Sequence, residues 1–322
     1  MPRVNQEQGL LSIGTLHERR GSYTNFNLAN CSTCDNYLSE TWGRILGKHL
    51  KLDGKKRLNL ETDVYGLQLG HDLVNNLFAD GSHNYIGAYF SYTKANTDFS
   101  DKYRAVNGLI AHNKKTGKGT SEAFSLGLTN TYFSVDNSYI DLVGQFSALR
   151  NKYDAHKSTS SIHQNGFGVA VSAEAGYAFN FGPNNIKQSD WSMEPQMQLV
   201  YQYIDLDNFK DKYRSVDQNN QKLLRGRIGV RLAYNDLAQS QQISSFYTIA
   251  NVWHDFIKPS SIEVGRDRLS EKYNSSWGEI GLGAKTPIVK DTYLYGDARF
   301  EHNFSSAKHQ GYQGNIGVEH KW

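Results

Sequence analysis

From Trp42 to the last residue, apolar and polar side chains alternate in run after run. That two-residue period belongs to β-strands whose two faces meet different surroundings. The cleanest run lies near 166–182, where Phe167, Val169, Val171, Ala173, Ala175, Tyr177 and Phe179 oppose Gly168, Ser172, Glu174 and Gly176. The others fall near 40–52, 62–71, 83–95, 121–134, 137–151, 190–205, 222–236, 243–257, 273–286, 290–302 and 310–322. The pattern predicts an all-β chain of twelve strands, and an even number suits a closed antiparallel barrel. Pro195, inside the seventh run, predicts a bulge or edge distortion there.

The intervals between runs alternate as well. They are long after the third, fifth, seventh and ninth strands (about 96–120, 152–165, 206–221 and 258–272) and mostly short after the fourth, sixth, eighth and tenth. Long loops on one side and short turns on the other are the asymmetry of an outer-membrane barrel. The interval 72–82 is an exception, longer than a tight turn. In front of the strands, 4–20 reads as one amphipathic helix carrying Leu10, Leu11, Ile13 and Leu16, weakened by Gly14 and ended by Gly21. The expected organisation is a helix and linker over 1–39 and a barrel over 40–322.

The polar faces bear on what lies inside. Arg225, Arg227 and Arg231 alternate with Ile228, Val230 and Leu232 on one strand. In a dry core, unpaired charges of this kind are prohibitively costly. Together with Glu174, Glu194, Gln196, Glu279, Asp297, Arg299 and Glu301 they are expected to line a wet lumen wide enough to hold the helix. Facing residues of the helix, such as Glu18, or of neighbouring strands are the expected acidic partners of the strand-eight arginines. Trp191, Tyr201, Tyr203, Tyr234, Trp253, Tyr273, Tyr312 and Trp322 lie near predicted strand ends, where aromatic girdles mark the two interfaces of a bilayer.

Mean hydropathy is −0.62, and no stretch reaches the roughly 18 continuous apolar residues of a membrane helix. A barrel explains both, because only alternate residues face lipid. The chain holds 35 basic and 32 acidic residues with no long run of either sign, which gives a nucleic-acid partner no support. Cys31 and Cys34 lack the second ligand pair that zinc requires and the strand-to-helix setting of a redox CxxC. They are expected to form a local disulfide in an oxidising compartment. No metal or cofactor is expected. Met1-Pro2-Arg3-Val4-Asn5 has no apolar signal core, so an exported chain of this sequence is expected to be a mature fragment or an expressed piece to which Met1 was added.

Several stretches, in this order and spacing, resemble the translocator domain of Gram-negative autotransporters. They are Gly14-Thr15-Leu16-His17-Glu18-Arg19-Arg20, Trp42-Gly43-Arg44, Gly66-Leu67-Gln68-Leu69-Gly70-His71-Asp72, Glu174-Ala175-Gly176-Tyr177, Glu194-Pro195-Gln196-Met197-Gln198-Leu199-Val200-Tyr201, Arg227-Ile228-Gly229-Val230-Arg231 and the closing Asn315-Ile316-Gly317 to Trp322. The resemblance covers nearly all of 10–322. It implies a twelve-stranded outer-membrane barrel with an N-terminal helix in the pore, in which Leu10, Leu16, Glu18, Arg19 and Arg20 are the helix positions. It also implies secretion and surface display of an N-terminal passenger. The implied partners are outer-membrane lipids and lipopolysaccharide, periplasmic chaperones, the chain's own passenger and a barrel assembly machinery that reads the last strand at Asn315, Gly317, His320 and Trp322. The implied assembly state is a monomer. His320 departs from the apolar preference of that signal. Some relatives cut their passenger at an asparagine pair, but here Asn5 is followed by Gln6, so no catalytic residue is carried over and no enzyme is expected. A passenger-free porin shares the strand pattern but needs no helix at 4–20.

Two measurements test these expectations. Mass spectrometry of unreduced protein should show the Cys31–Cys34 disulfide as two missing protons, and two free thiols in membrane-extracted protein would end that reading. Deleting Trp322 should cause a large loss of outer-membrane protein in cells and a modest loss of folding into micelles. Equal losses would make its role purely structural.

Overall fold

The computed structural model describes residues 1–21, 39–155, 161–181, 189–210, 214–237, 243–305 and 308–321. Among these, twelve long strands form one antiparallel sheet that closes on itself. They are β1 (Glu40–Asp53), β2 (Leu58–Leu77), β3 (His83–Asp101), β4 (Lys115–Phe133), β5 (Ser138–Ala155), β6 (Ile162–Tyr177), β7 (Ser189–Leu206), β8 (Gln221–Leu237), β9 (Ile243–Asp255), β10 (Ser276–Val289), β11 (Thr292–Asn303) and β12 (His309–Lys321). Each strand pairs with its predecessor. Closure comes from β12 against β1, in register from Glu40↔Lys321 to Leu52↔His309.

Two irregularities explain departures from the sequence pattern. β2 continues to Leu77, leaving only 78–82 before β3. A bulge between Asp72 and Val74 shifts the register against β3. One extra residue swaps the faces, so the alternation breaks off after 71 while the strand goes on, and the long interval disappears. At Pro195 the ladder to β8 is unbroken, with Pro195 opposite Val230. The ladder to β6 instead ends at Gln196↔Gly176 and resumes in the short segment Phe179–Phe181. The distortion is thus a gap on one side, where proline has no N–H to donate.

The rim carrying the long connections 102–114, 207–220 and 256–275 is the outer one. There four short strands, Phe209–Lys210, Ser215–Asp217, Ile262–Val264 and Asp267–Leu269, form a separate sheet. The Glu271 carboxylate accepts backbone N–H bonds from Lys56, Arg57, Leu58 and Lys272 at 2.8–3.0 Å. Burial pushes this carboxyl up, but the four donors outweigh it and hold it below the usual range.

Burial is inverted relative to a water-soluble protein. Ile228 is 73% exposed, Leu282 67% and Ile316 66%, whereas Glu174 and Arg231 are each 1% exposed and Asp141 0%. The apolar face of every strand therefore points outward, and the polar face is covered. Inside, aromatic rings on odd strands lie over glycines directly opposite on the next strand. The pairs are Trp42/Gly70, Tyr89/Gly127, Tyr139/Gly176, Tyr247/Gly283 and Tyr295/Gly317. A Cβ at any of these glycines would fall 2.1–2.4 Å from the ring. The β7–β8 hairpin departs from the pattern, with Gln196 opposite Gly229.

Gly127→Ala should therefore displace the Tyr89 ring and cost about 1–3 kcal/mol. The readout is a lower urea midpoint for the heat-modifiable, folded form. Gly144→Ala meets open space and should leave that midpoint unchanged.

Candidate functional site

The lumen is filled by the N-terminal segment, in two helices: α1 (Pro2–Ile13) and α2 (Leu16–Arg20). The single helix expected from the sequence is broken at Gly14, which takes φ +57°. Thr15 then caps a new helix, accepting the Glu18 N–H while the Glu18 carboxylate accepts the Thr15 N–H at 2.6 Å. Gly21, φ +66°, ends it. Nor does α1 present a single apolar stripe. Asn5, Gln6, Glu7, Gln8 and Ser12 are as buried as Val4, Leu11 and Ile13, because wall surrounds the helix.

α1 starts at the outer rim. Arg3 meets Asp255 at 2.8 Å, and Glu7 is shared by Arg3, Lys48 and Arg225 at 3.0–3.1 Å. Arg225 also binds Asp255 at 2.6 Å and lies over the Trp277 ring. Lys48 continues to Glu301 at 3.0 Å. On its other side, against β3–β5, the helix is held by uncharged groups from this mouth downward. The Asn5 amide donates to Ser121 and Asn151, Gln8 donates to Thr93, and Ser12 bonds Ser91 at 2.7 Å. Arg44 reaches the carbonyls of Leu11 and Ser12. Leu10 and Ile13 pack on Ala170 and Val200.

The inner end is held by charge again. Glu174 accepts the Leu16 N–H at 3.1 Å, the Tyr139 hydroxyl at 2.8 Å and an ion pair from Arg227 at 3.0 Å. Leu16 itself packs on Tyr85, Phe133 and Tyr139. His17 meets Glu194 at 2.7 Å, and Arg231 approaches the same carboxylate at 3.9 Å. Arg19 pairs with Asp141 at 2.5 Å, and Arg20 with Glu40 at 2.9 Å and Asp72 at 2.5 Å. Glu18 pairs with Arg299 at 3.3 Å, and Arg299 also binds Asp297 at 3.0 Å and Glu279 at 3.5 Å.

Of the partners expected for the strand-eight arginines, on the facing helix or on other strands, the example Glu18 is corrected here. Glu18 goes to Arg299, while Arg225 takes Glu7, Arg227 takes Glu174, and Gln196 accepts from Arg227 at 2.7 Å. Sequence reasoning missed Glu7, Arg3, Asp141 and Asp255. Asp141 was on the polar side of its strand, which is the signal that could have found it. Asn315 is buried inside, Gly317 lies under the Tyr295 ring, and His320 faces outward beside Thr292 at 2.8 Å. Cys31, Cys34 and Trp322 lie outside the described residues.

α1 sits off-centre, packed mainly against β2–β7. On the opposite side a cavity of about 40 Å³ remains, lined in part by Glu7, Gly14, Lys48, Arg225, Glu279 and Arg299. That is room for roughly three waters, so long charged side chains close the gap that the helix leaves.

The sequence profile described as "Autotransporter beta-domain" matches residues 41–299. The chain belongs to that family. This β-domain is 26% identical over 300 residues to the Adhesin BmaC autotransporter of Brucella suis biovar 1 (strain 1330), covering 87% of this chain and 8% of that protein. It is 24% identical over 271 residues to Autotransporter CRAC of Citrobacter rodentium (strain ICC168), covering 81% and 15%. It thus spans a small part of these relatives. In fold it is similar to the transport unit of AIDA-I from Escherichia coli, with TM-score 0.76, 17% identity, and 96% and 100% of the two chains covered. It also resembles the β-domain of the Bordetella autotransporter BrkA, with TM-score 0.67, 17% identity, and 88% and 100% covered. A closed barrel of this family is an integral outer-membrane protein with a translocator or channel role.

Arg227→Glu would set a carboxylate against Glu174 and weaken the hold on the start of α2. Single-channel recordings should show more frequent opening and higher conductance, with folding retained because lumen changes are tolerated better than lipid-face ones. Unchanged conductance would count against this hold.

Proposed function

We propose that this β-domain is the outer-membrane translocator of an autotransporter. It carries a passenger attached ahead of α1 to the cell surface and keeps α1 and α2 in the lumen as a seal. The observation that supports this best is the direction of the segment. α1 begins at the outer rim by Asp255 and Glu7's partners, and α2 ends at the inner rim beside Glu40 and Asp72. A chain extended upstream of α1 emerges outside. Charge pairs at both ends and a nearly filled lumen suit a strand of polypeptide parked after transit. The chain acts as a monomer, reaches the membrane with periplasmic chaperones and is inserted by the barrel assembly machinery through β12. Pore-lining roles for the interior charges belong to this same reading.

Removing residues 1–30 should convert a nearly closed barrel into a wide pore in planar bilayers. Equal conductance with and without the segment would remove the seal. A reporter domain fused ahead of Met1 should become accessible to protease added to intact cells, and a protected reporter would overturn the translocator reading itself.

A further inference from the structure

The barrel wall is not uniform in height. β2, β3 and β4 have 20, 19 and 19 residues, whereas β9 to β12 have 12–14. On the tall side the outward face changes character along aligned rows. One row is Tyr92, Phe124, Ala148 and Phe167, paired strand to strand from β3 to β6. The row directly above it is Lys94, Glu122, Arg150 and Asn165, and the next is Asn96, Thr120, Lys152 and His163. Above that, Lys118 stands between Asp98 and Asp154.

The height of these rows follows from β5. Ile140, Leu142, Phe146 and Ala148 point outward, and the span from 140 to 148 rises roughly 20 Å on a strand tilted by about 40°. That nearly fills an apolar band of about 25 Å, so Arg150 sits where hydrocarbon gives way to the headgroups of the outer leaflet. Its guanidinium lies over the Phe124 ring, 5.8 Å from the centroid. The nearby carboxylates already hold partners. Glu122 has Lys94 at 3.5 Å and the Tyr92 hydroxyl at 3.1 Å, Asp154 has Lys152 at 3.6 Å, and Asp98 has Lys115 at 3.3 Å. No ion pair is found for Arg150 or Lys118 among the described residues. Across the barrel, the outward positions at the corresponding ends of β8 to β12 are Lys222, His254, Ser276, His302 and Gln310, with a single permanent charge among them.

We propose that this outward patch on β3–β6, centred on Arg150 with Lys118 and Lys152, binds the phosphorylated headgroup of an outer-leaflet glycolipid. A guanidinium laid on an aromatic ring at the interface presents its donors sideways to a phosphate. The lysines supply further charge above it. Acyl chains of the same lipid would run down over Phe124, Phe146 and Phe167, two of which stack at 6.2 Å. The inference rests on the outer-membrane placement of the barrel and is independent of passenger transport.

The test is native mass spectrometry of the detergent-folded full chain loaded with bis-phosphorylated lipid A. The protein should retain lipid A, and the triple variant Lys118→Gln/Arg150→Gln/Lys152→Gln should retain at least about tenfold less, since each interfacial cation contributes severalfold. Lys222→Gln on the opposite wall should match the unaltered chain. Dephosphorylated lipid A should bind poorly, and excess inorganic phosphate should not displace the loaded lipid. Heat-modifiable migration checks folding. If the triple variant does not fold, Arg150→Gln should show a severalfold loss that Arg150→Lys, which keeps the charge but not the planar fork, restores only in part. Equal retention by the Gln variants, an equal loss in Lys222→Gln, or displacement by free phosphate would each overturn the proposal.

Discussion

Hydrocarbon cannot solvate a backbone amide, and this governs the whole architecture. Each strand must find two neighbours, so the sheet has to close, and the pairing of β12 with β1 completes the ladder. Closure forces alternation, because side chains that do not face lipid must face the lumen. The outward set is therefore apolar and the inward set polar. A polar lumen of this size then needs an occupant or water. Arg299, Arg225 and Lys48 find their counter-charges partly on α1 and α2 and partly on the wall. The helix pair and the wall thus satisfy one another, and neither would have a full set of partners alone.

The interior divides into zones by the kind of contact. Ion pairs gather at the two mouths, around Glu7 and around Arg19, Arg20 and Glu18. The waist uses a hydroxyl pair and backbone carbonyls reached by Arg44 and Gln68, together with a small apolar cluster. Removing charges from water is costly unless they are paired closely, and at each mouth several partners converge on one carboxylate. The β7–β8 hairpin, which lacks the aromatic-over-glycine pairing, instead supplies Glu194 to His17 of α2, while Arg227 and Arg231 pair with Glu174 and Glu194 on the wall.

The sequence made the strand count, the inward face and the existence of a leading helix readable, because each is a matter of period. Bulges defeat the same reasoning. At Asp72 one extra residue exchanges the faces, and the last turn-ward part of β2 drops out of the pattern. Gly14 was visible as a weak point, but the Thr15–Glu18 box that starts a second helix was the stronger local signal. Which interior charge meets which could not be read. Those partnerships depend on the stagger of twelve strands and on the depth of α1, and Glu18 meeting Arg299 instead of Arg225 is the outcome of both. Glu7 carried no periodic mark, since a helix enclosed on all sides has no face to advertise.

The helix pair also has a mechanical meaning. A pull applied at the outer end of α1 runs along the barrel axis. It first loads the Arg3–Asp255 and Glu7 pairs, then passes down the hydrogen-bonded spine of α1 to the kink at Gly14. Below it, Arg19 and Arg20 engage Asp141, Glu40 and Asp72 on three different strands. Those contacts are strained together rather than in succession, and the load is distributed around the wall. A segment held in this way behaves as a tether with a broad footing on the wall.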